Sequence, residues 1–355
     1  MKLIDRYIGL AVISTTAIVM LVLLSLFAFT TFINELGDVG KGNYGLKEAA
    51  IYVSASLPRL AYQLFPSVAL LGSIIGLGVL ASNSELLVFR ASGYSLLRII
   101  SAVMKTGLVF VLLMTLLGEV VAPITEQYAQ NMRSQALSQS EKVSSRQDGF
   151  WARDGEYFVH VRDMYPDGTL GGITIYNINE NHQLTEVIKA KQAFFRNDEW
   201  VLQHVVKNSI EEDDVSIETV EVLNWQTLMS PDLVSIVTVN PEFLSAWGLF
   251  KYIRYLKSNG LESDRYEQAF WKKLVAPIAT AVMVFLAVPF VFGTLRTVPV
   301  GERVFVGTLV GVGFHILNQG VGFIGLVYGW NPFLVSVLPT VLFFALALHM
   351  MRKVF

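Results

Sequence analysis

No cysteine occurs in the 355 residues. That absence excludes disulfides, thiolate zinc sites, iron–sulfur clusters and cysteine nucleophiles together. Charge is scarce too: 16% of residues are Asp, Glu, Lys or Arg against 53% hydrophobic, where soluble domains carry about 25% charged residues. The balance excludes disorder over the whole chain, and a net charge of −2 argues against a general nucleic-acid binder. A phosphate-cradling Walker A loop is also missing. Its nearest approach, at Gly40-Lys41, has Gly42 where Ser or Thr is required and Glu35 where the first Gly belongs. Neither H-E-x-x-H nor G-x-S-x-G is present. The five histidines, at 160, 182, 204, 315 and 349, are scattered without metal-ligand spacing. The acidic run Glu211–Asp214 reads as a solvated loop, with a calcium site as its alternative.

The missing charge is concentrated in particular stretches. Gly9–Ile33 and Leu60–Ser84 are each 25 residues without a charged side chain, and about 20 apolar helical residues cross a bilayer core. Thr106–Pro123 makes a third span if Glu119 sits near its end. Leu274–Leu295, Val304–Asn331 and Pro332–Met351 make three more. The first run is too long for the apolar core of a signal peptide and is read as an anchor.

Residues 124–246 differ in composition. They hold 19 of the 29 acidic residues and 9 of the 27 basic ones, a net charge of −10 beside +8 for the rest. Strand-like runs fill them: Tyr157–Val161, Gly172–Ile178, Leu184–Phe195, Trp200–Val206 and Val215–Leu223. Turn signals at Pro166-Asp167-Gly168 and Asn179–Asn181 punctuate the runs, as in an all-β sandwich or jelly roll. The expected fold is an α-helical membrane protein of six spans with an inserted all-β domain. Residues 1–123 carry the first three spans, 124–246 the β domain, 247–273 an amphipathic helical connection, and 274–355 the last three spans. Short-loop cations set the orientation. Lys2, Arg6, Arg90, Arg98, Arg296, Arg303, Arg352 and Lys353 share one side against Lys41, Lys47 and Arg59 on the other. Both termini are therefore expected in the cytoplasm, with the β domain in the periplasm of a bacterial cell.

Polar groups inside spans are informative because each is expensive there. Lys105 and Glu119 bracket the third span on one face, as snorkelling ends would. His315, Asn318 and Gln319 form a stripe at i, i+3 and i+4, explained either by interhelical hydrogen bonds or by a substrate-facing wall. Gly72-x-x-x-Gly76 and Gly307-x-x-x-Gly311 permit close helix approach, within this chain or to another subunit. The loop Ser82–Arg98 holds a short amphipathic helix, with Ser82 or Ser84 as cap, Glu85 in its first turn and Gly93 as terminator. It reads as a rest on the membrane surface or a docking knob. Lys251, Arg254 and Lys257 stripe a helix leading back to the membrane, as in a solvated interfacial helix or a contact for anionic headgroups. A membrane enzyme acting on envelope lipids is the competing class, with Glu119 and Glu126 its suggestive acid/base pair.

Taken in order, several segments resemble the LptF/LptG family of lipopolysaccharide-export permeases. They include Asp5-Arg6-Tyr7-Ile8-Gly9, Phe65-Pro66 through Gly72, Gly76-Leu77-Gly78, Ser84-Glu85-Leu86, and Arg90-Ala91-Ser92-Gly93. Gly118–Pro123, Tyr252-Ile253 with Tyr255-Leu256, Phe270-Trp271 with Lys273, Pro289-Phe290, and Val327-Tyr328-Gly329 continue the match. The resemblance implies six spans, a periplasmic β-jellyroll, and pairing with a second six-span permease of the family (F type). It further implies a dimeric cytoplasmic ATPase beneath the pair, a periplasmic β-jellyroll bridge protein, and lipopolysaccharide moved out of the inner membrane. No cofactor is implied in this chain itself, since ATP and Mg belong to the partner ATPase. The resemblance assigns Glu85, Leu86, Phe89 and Arg90 to ATPase coupling. It assigns Phe27, Thr31, Phe32 and Ile33 of the first span, with Phe314, His315, Asn318 and Gln319 of the fifth, to a lipid cavity.

The chain departs from the family at two places. Members often carry lysines at the outer end of the first span, whereas Thr31–Asp38 has none and holds Asn34, Glu35 and Asp38. Lys41 and Arg133 are then the candidate phosphate contacts. Thr294 stands where the family usually has proline.

Overall fold

A computed structural model describes residues 3–138, 149–165, 168–179, 183–196, 199–210, 215–225, 240–293 and 299–353. The acidic run Glu211–Asp214, His182, Thr294 and Arg296 lie outside the described residues. The chain divides into two compact units. One comprises Met1–Leu137, Ser245–Phe250 and Ser263–Phe355, the other Ser138–Leu244 and Lys251–Glu262.

The first unit is helical. Among the described residues six helices are long and apolar enough to cross a membrane. They are α1 (Leu3–Leu36), α2 (Leu46–Ser82), the pair α4 (Leu96–Leu116) and α5 (Ala122–Ser138), α7 (Asp264–Phe292), α8 (Val300–Val327) and α9 (Pro332–Met351). The short α3 (Glu85–Ala91) follows α2, and α6 (Ala246–Ser258) precedes α7. Several helices outrun the charge-free stretches because their terminal charges are paired. α2 starts at Leu46 and accommodates Arg59, whose Nε donates to Glu126 at 3.0 Å. The third span does not stop at Pro123. A π-helical turn, Leu117–Val121, absorbs the register change just before Pro123, which has no N–H to give. Helix then runs on to Ser138.

Small residues bring these helices together. A Cβ on Gly76 would lie 2.9 Å from the Ala11 carbonyl oxygen, so α1 and α2 touch through their backbones. Gly307 of α8 faces Ile74 of α2, and the Gly311 carbonyl accepts from Ser67 Oγ at 2.9 Å. Both small-residue stripes are thus used inside the chain. The buried core lies around α2 and α7, where Leu70, Ile74, Met283, Leu286 and Phe290 pack with Phe314 and Phe343. Phe65, Leu77, Val103, Phe110 and Val284 form a second cluster with Ile8 and Val12 of α1. α1 and α8 both pack on α2, and each leaves a broad apolar surface exposed, including Leu21, Leu26 and Phe29 on α1 and Ile316 and Phe323 on α8.

Among the described residues the second unit has six antiparallel strands in sequential order: β1 (Phe150–Asp154), β2 (Tyr157–Met164), β3 (Leu170–Ile178), β4 (Leu184–Arg196), β5 (Glu199–Ile210) and β6 (Val215–Trp225). One face is buried through Val159, Val161, Ile175, Ile188 and Val205. Its period-2 alternation breaks along one row. Leu170 and Ile173, Ala190 and Ala193, and Leu202 and Val205 are all buried despite odd spacing. Between them lie Gly172 (φ +61°), Lys191 and His204 (φ +53°). The three positions sit opposite one another, and the pairing register is the same on both sides of them. The C-terminal half of α6 belongs to this unit: Tyr255 Oη donates to the Arg153 carbonyl at 2.7 Å, and Gly155 N–H donates to Asn259 Oδ1 at 3.0 Å.

Candidate functional site

Three places in the helical unit carry the residues singled out from the sequence. The first is α3. Gly93 (φ +83°) terminates it, with Tyr94 N–H bonded to the Phe89 carbonyl and Gly93 N–H to that of Arg90, a Schellman closure. Neither serine caps its start. Ser84 adopts a left-handed backbone (φ +60°) in place of the extended one a cap requires, and Ser82 Oγ donates back to Val79. Leu86 is buried, Phe89 packs beside the same core, and the Phe89 ring meets Tyr7 edge-on at 6.4 Å. These two residues root the helix in the body. Arg90 and the apolar Leu87 and Val88, which are 56% and 59% exposed, form its outward face. Sequence reading missed Leu87 and Val88 because a seven-residue helix is too short for periodicity to tell its faces apart.

The second place is the pair of walls on α1 and α8. Phe27 and Ile33 are exposed on α1, Thr31 is half-buried, and Phe32 packs beside Tyr52 and Val53. On α8, His315 and Gln319 are exposed and Asn318 is half-buried, whereas Phe314 points inward against Phe343 with ring centroids 5.1 Å apart. The polar stripe therefore faces outward from the bundle, and Phe314 anchors the helix behind it.

The third place is a charge cluster at the end of α1. Arg133 Nε donates to Glu35 at 2.9 Å, and its Nη2 pairs with Asp38. Tyr44 Oη donates to Glu35 at 2.7 Å, and Lys41 bonds Asp38 at 2.6 Å. The Lys41 ammonium holds the Asp38 carboxyl below its ordinary range. Burial first, then the Glu35 carboxylate, pushes the Tyr44 phenol up. Arg133 also stacks over Tyr52 at 5.5 Å. Of the two candidate phosphate contacts, Arg133 is thus embraced by two carboxylates, while Lys41 shares one and is otherwise exposed. Glu35 and Asp38 are both partners of Arg133.

Lys105, Glu119 and Glu126 are each paired within the helical unit. Lys105 Nζ bonds Asp5 at 2.6 Å, so it ties α4 to α1. Glu119 accepts from Ala246 N–H at 2.8 Å and lies 3.7 Å from Lys273, whose Nζ donates to the Gly118 carbonyl at 2.8 Å. Glu126 is fully buried with Arg59 and Gln130. Glu119 and Glu126 each have their own basic partner and share no common one in these contacts, an arrangement of two tethers and not of an acid/base pair. Among the described residues no group of three or more metal-ligating side chains converges.

Six helices able to cross a membrane, a short helix after the second and an antiparallel sheet unit inserted between the two halves define a polytopic membrane protein. The comparison with known proteins places it more narrowly. A family described as "Lipopolysaccharide export system permease LptF/LptG" matches residues 6–353, and the chain belongs to it. It is 38% identical over 352 residues to the lipopolysaccharide export system permease protein LptG of Escherichia coli strain K12, covering 98% of each chain. It is 36% identical over 341 residues to the protein of the same name from Haemophilus influenzae, covering 96% of this chain and 95% of that one.

Proposed function

We propose that the chain is a permease subunit that moves lipopolysaccharide out of the inner membrane. The near end-to-end match to lipopolysaccharide export permeases carries this reading. In it, the exposed faces of α1 and α8 form half of a lipid cavity, completed by a second six-span permease of the family. Phe27, Thr31 and Ile33 line one wall, and His315, Asn318 and Gln319 the other. Apolar and weakly polar side chains suit acyl chains and a sugar headgroup.

A separate dimeric ATPase supplies the energy, bound to the outward face of α3 through Leu87, Val88, Glu85 and Arg90. Both termini lie in the cytoplasm, and the sheet unit lies in the periplasm. There it serves as a β-jellyroll module that hands lipopolysaccharide to a bridge of similar build.

Photo-crosslinking tests the reading. A photoreactive residue at Phe27, Thr31, His315 or Asn318 in living cells is expected to yield lipopolysaccharide adducts. None at any of the four, in a strain that exports lipopolysaccharide through this chain, overturns the cavity assignment.

A further inference from the structure

The first turns of α1 are seated on α3 and α4. Ile4, Tyr7 and Ile8 recur at i, i+3 and i+4 and so share one helix face. Ile8 is buried in one cluster with Leu86 of α3, and Ile4 and Phe89 pack against that cluster. The Tyr7 ring meets the Phe89 ring edge-on at 6.4 Å. The Tyr7 hydroxyl is hydrogen-bonded to the Glu85 side chain, and it is the donor, since an ionised carboxylate only accepts. Tyr7 therefore holds both turns of α3, by Glu85 in the first and Phe89 in the second. Asp5, buried on the adjoining face, takes Lys105 Nζ of α4 at 2.6 Å.

We propose that Tyr7 is a positioning residue that passes a displacement of α3 to α1, and so joins the docking helix to one wall of the lipid cavity. The inference rests on the docking role of α3 and the wall role of α1 proposed above, and deepens both. Along the chain, α1 reaches α3 only through all 37 residues of α2, so a direct signal between them must cross a non-covalent contact. Apolar packing such as Ile8 on Leu86 holds two elements together without direction. A hydrogen bond to a carboxylate is directional and charge-assisted, so turning Glu85 either draws Tyr7 with it or breaks the bond. Glu85 keeps acceptor capacity for the ATPase, because a carboxylate accepts several bonds at once. Beyond Tyr7, α1 bears on α2 where Thr15 Oγ1 donates to the Gly72 carbonyl at 2.7 Å. It is one helix of 34 residues without proline, the usual cause of a kink, and it carries Phe27 and Thr31 towards its other end.

The test is the complete transporter in proteoliposomes, this chain with its partner permease and ATPase. Lipopolysaccharide transferred to the bridge protein and phosphate released from ATP are measured together. Tyr7→Phe keeps the ring on Phe89 and removes only the hydroxyl. It is expected to lower lipopolysaccharide moved per ATP hydrolysed about tenfold, the scale of one hydrogen bond to a charged group, with the ATPase still co-purifying. Glu85→Asp keeps the charge but draws the carboxylate back from Tyr7, and is expected to give a similar loss. The two changes together are expected to be no worse than either alone, since they break the same bond. A tyrosine with a merely structural role would lower recovery of the complex and leave the ratio unaltered. An unaltered ratio in Tyr7→Phe, or losses that multiply in the double variant, overturn the proposal. If the ATPase does not co-purify with the wild-type chain, the docking role of α3 fails, and the proposal falls with it.

Discussion

Gly72 of α2 and Thr16 of α1 meet so closely that a Cβ on Gly72 would lie 2.2 Å from Thr16 Oγ1. The contact leaves no room for a side chain, and Thr16 is buried with its hydroxyl bonded to the Val12 carbonyl. Gly72→Val is expected to push the two helices apart and to destabilise the chain by about 1–3 kcal/mol. The nearby Gly78, whose nearest neighbour would be Arg303 Nη1 at 3.5 Å, is expected to accept alanine with a much smaller effect. Thermal unfolding of the detergent-solubilised chain distinguishes the two, and equal losses at both positions would contradict the geometry.

The Arg59–Glu126 pair gives a second expectation. Glu126 is fully buried, so Arg59→Met leaves a carboxylate without its cation, at a cost of about 3–5 kcal/mol. Arg59→Met combined with Glu126→Leu removes both charges and is expected to recover much of that loss. A double-mutant cycle on unfolding temperature measures the coupling. Strict additivity would show that the pair contributes nothing.

On α3 the two faces should behave oppositely. Leu86→Ala opens the core beneath the helix and is expected to lower stability by about 2–5 kcal/mol. Leu87→Ser with Val88→Ser changes only exposed side chains, so folding is expected to hold within about 0.5 kcal/mol. The same double change is expected to strip the ATPase from the purified chain. Co-purification at wild-type levels would remove the outward face from the docking assignment.

Tyr255 makes alkaline stability a local probe of the sheet unit. Burial, then the nearby Asp154 carboxylate, pushes its phenol up to about 12, from an ordinary value of 10. A folded value above the unfolded one means the native state holds its proton longer. The contribution is therefore complete below pH 10 and is lost as pH rises from 10 towards 12. Tyr255→Phe removes the hydroxyl bond to Arg153, costs about 1 kcal/mol near neutrality, and is expected to flatten that alkaline slope. Circular dichroism of the sheet signal against pH checks it, and an unchanged slope in Tyr255→Phe would assign the titration elsewhere.

How much of this was legible beforehand depends on the scale of the signal. Five of the six described strands follow from alternation and turn residues, and their bounds agree with the observed ones to within a few residues. β1 escaped because its five residues, Phe150–Asp154, are too few to show a period. The break in alternation at Gly172, Lys191 and His204 has no local signature for the same reason: it is a row across three strands. Arg133 could be named as a candidate, and Glu35 and Asp38 as departures from the family, but not as one cluster, since almost a hundred residues separate Arg133 from Glu35.

The scarcity of charge thus determined the spans by itself, because the cost of placing a charge in hydrocarbon acts on each residue separately and is readable in one dimension. The same local economics placed the acidic strand-rich insert between two helical halves. Only the tertiary structure decided what each surviving charge does. Lys105, Glu119, Glu126 and Arg133 each meet a partner from another helix, and pairing depends on distances that sequence order does not contain. It also decided that the glycine stripes close the bundle on itself, and that Tyr7 of α1 lies against α3.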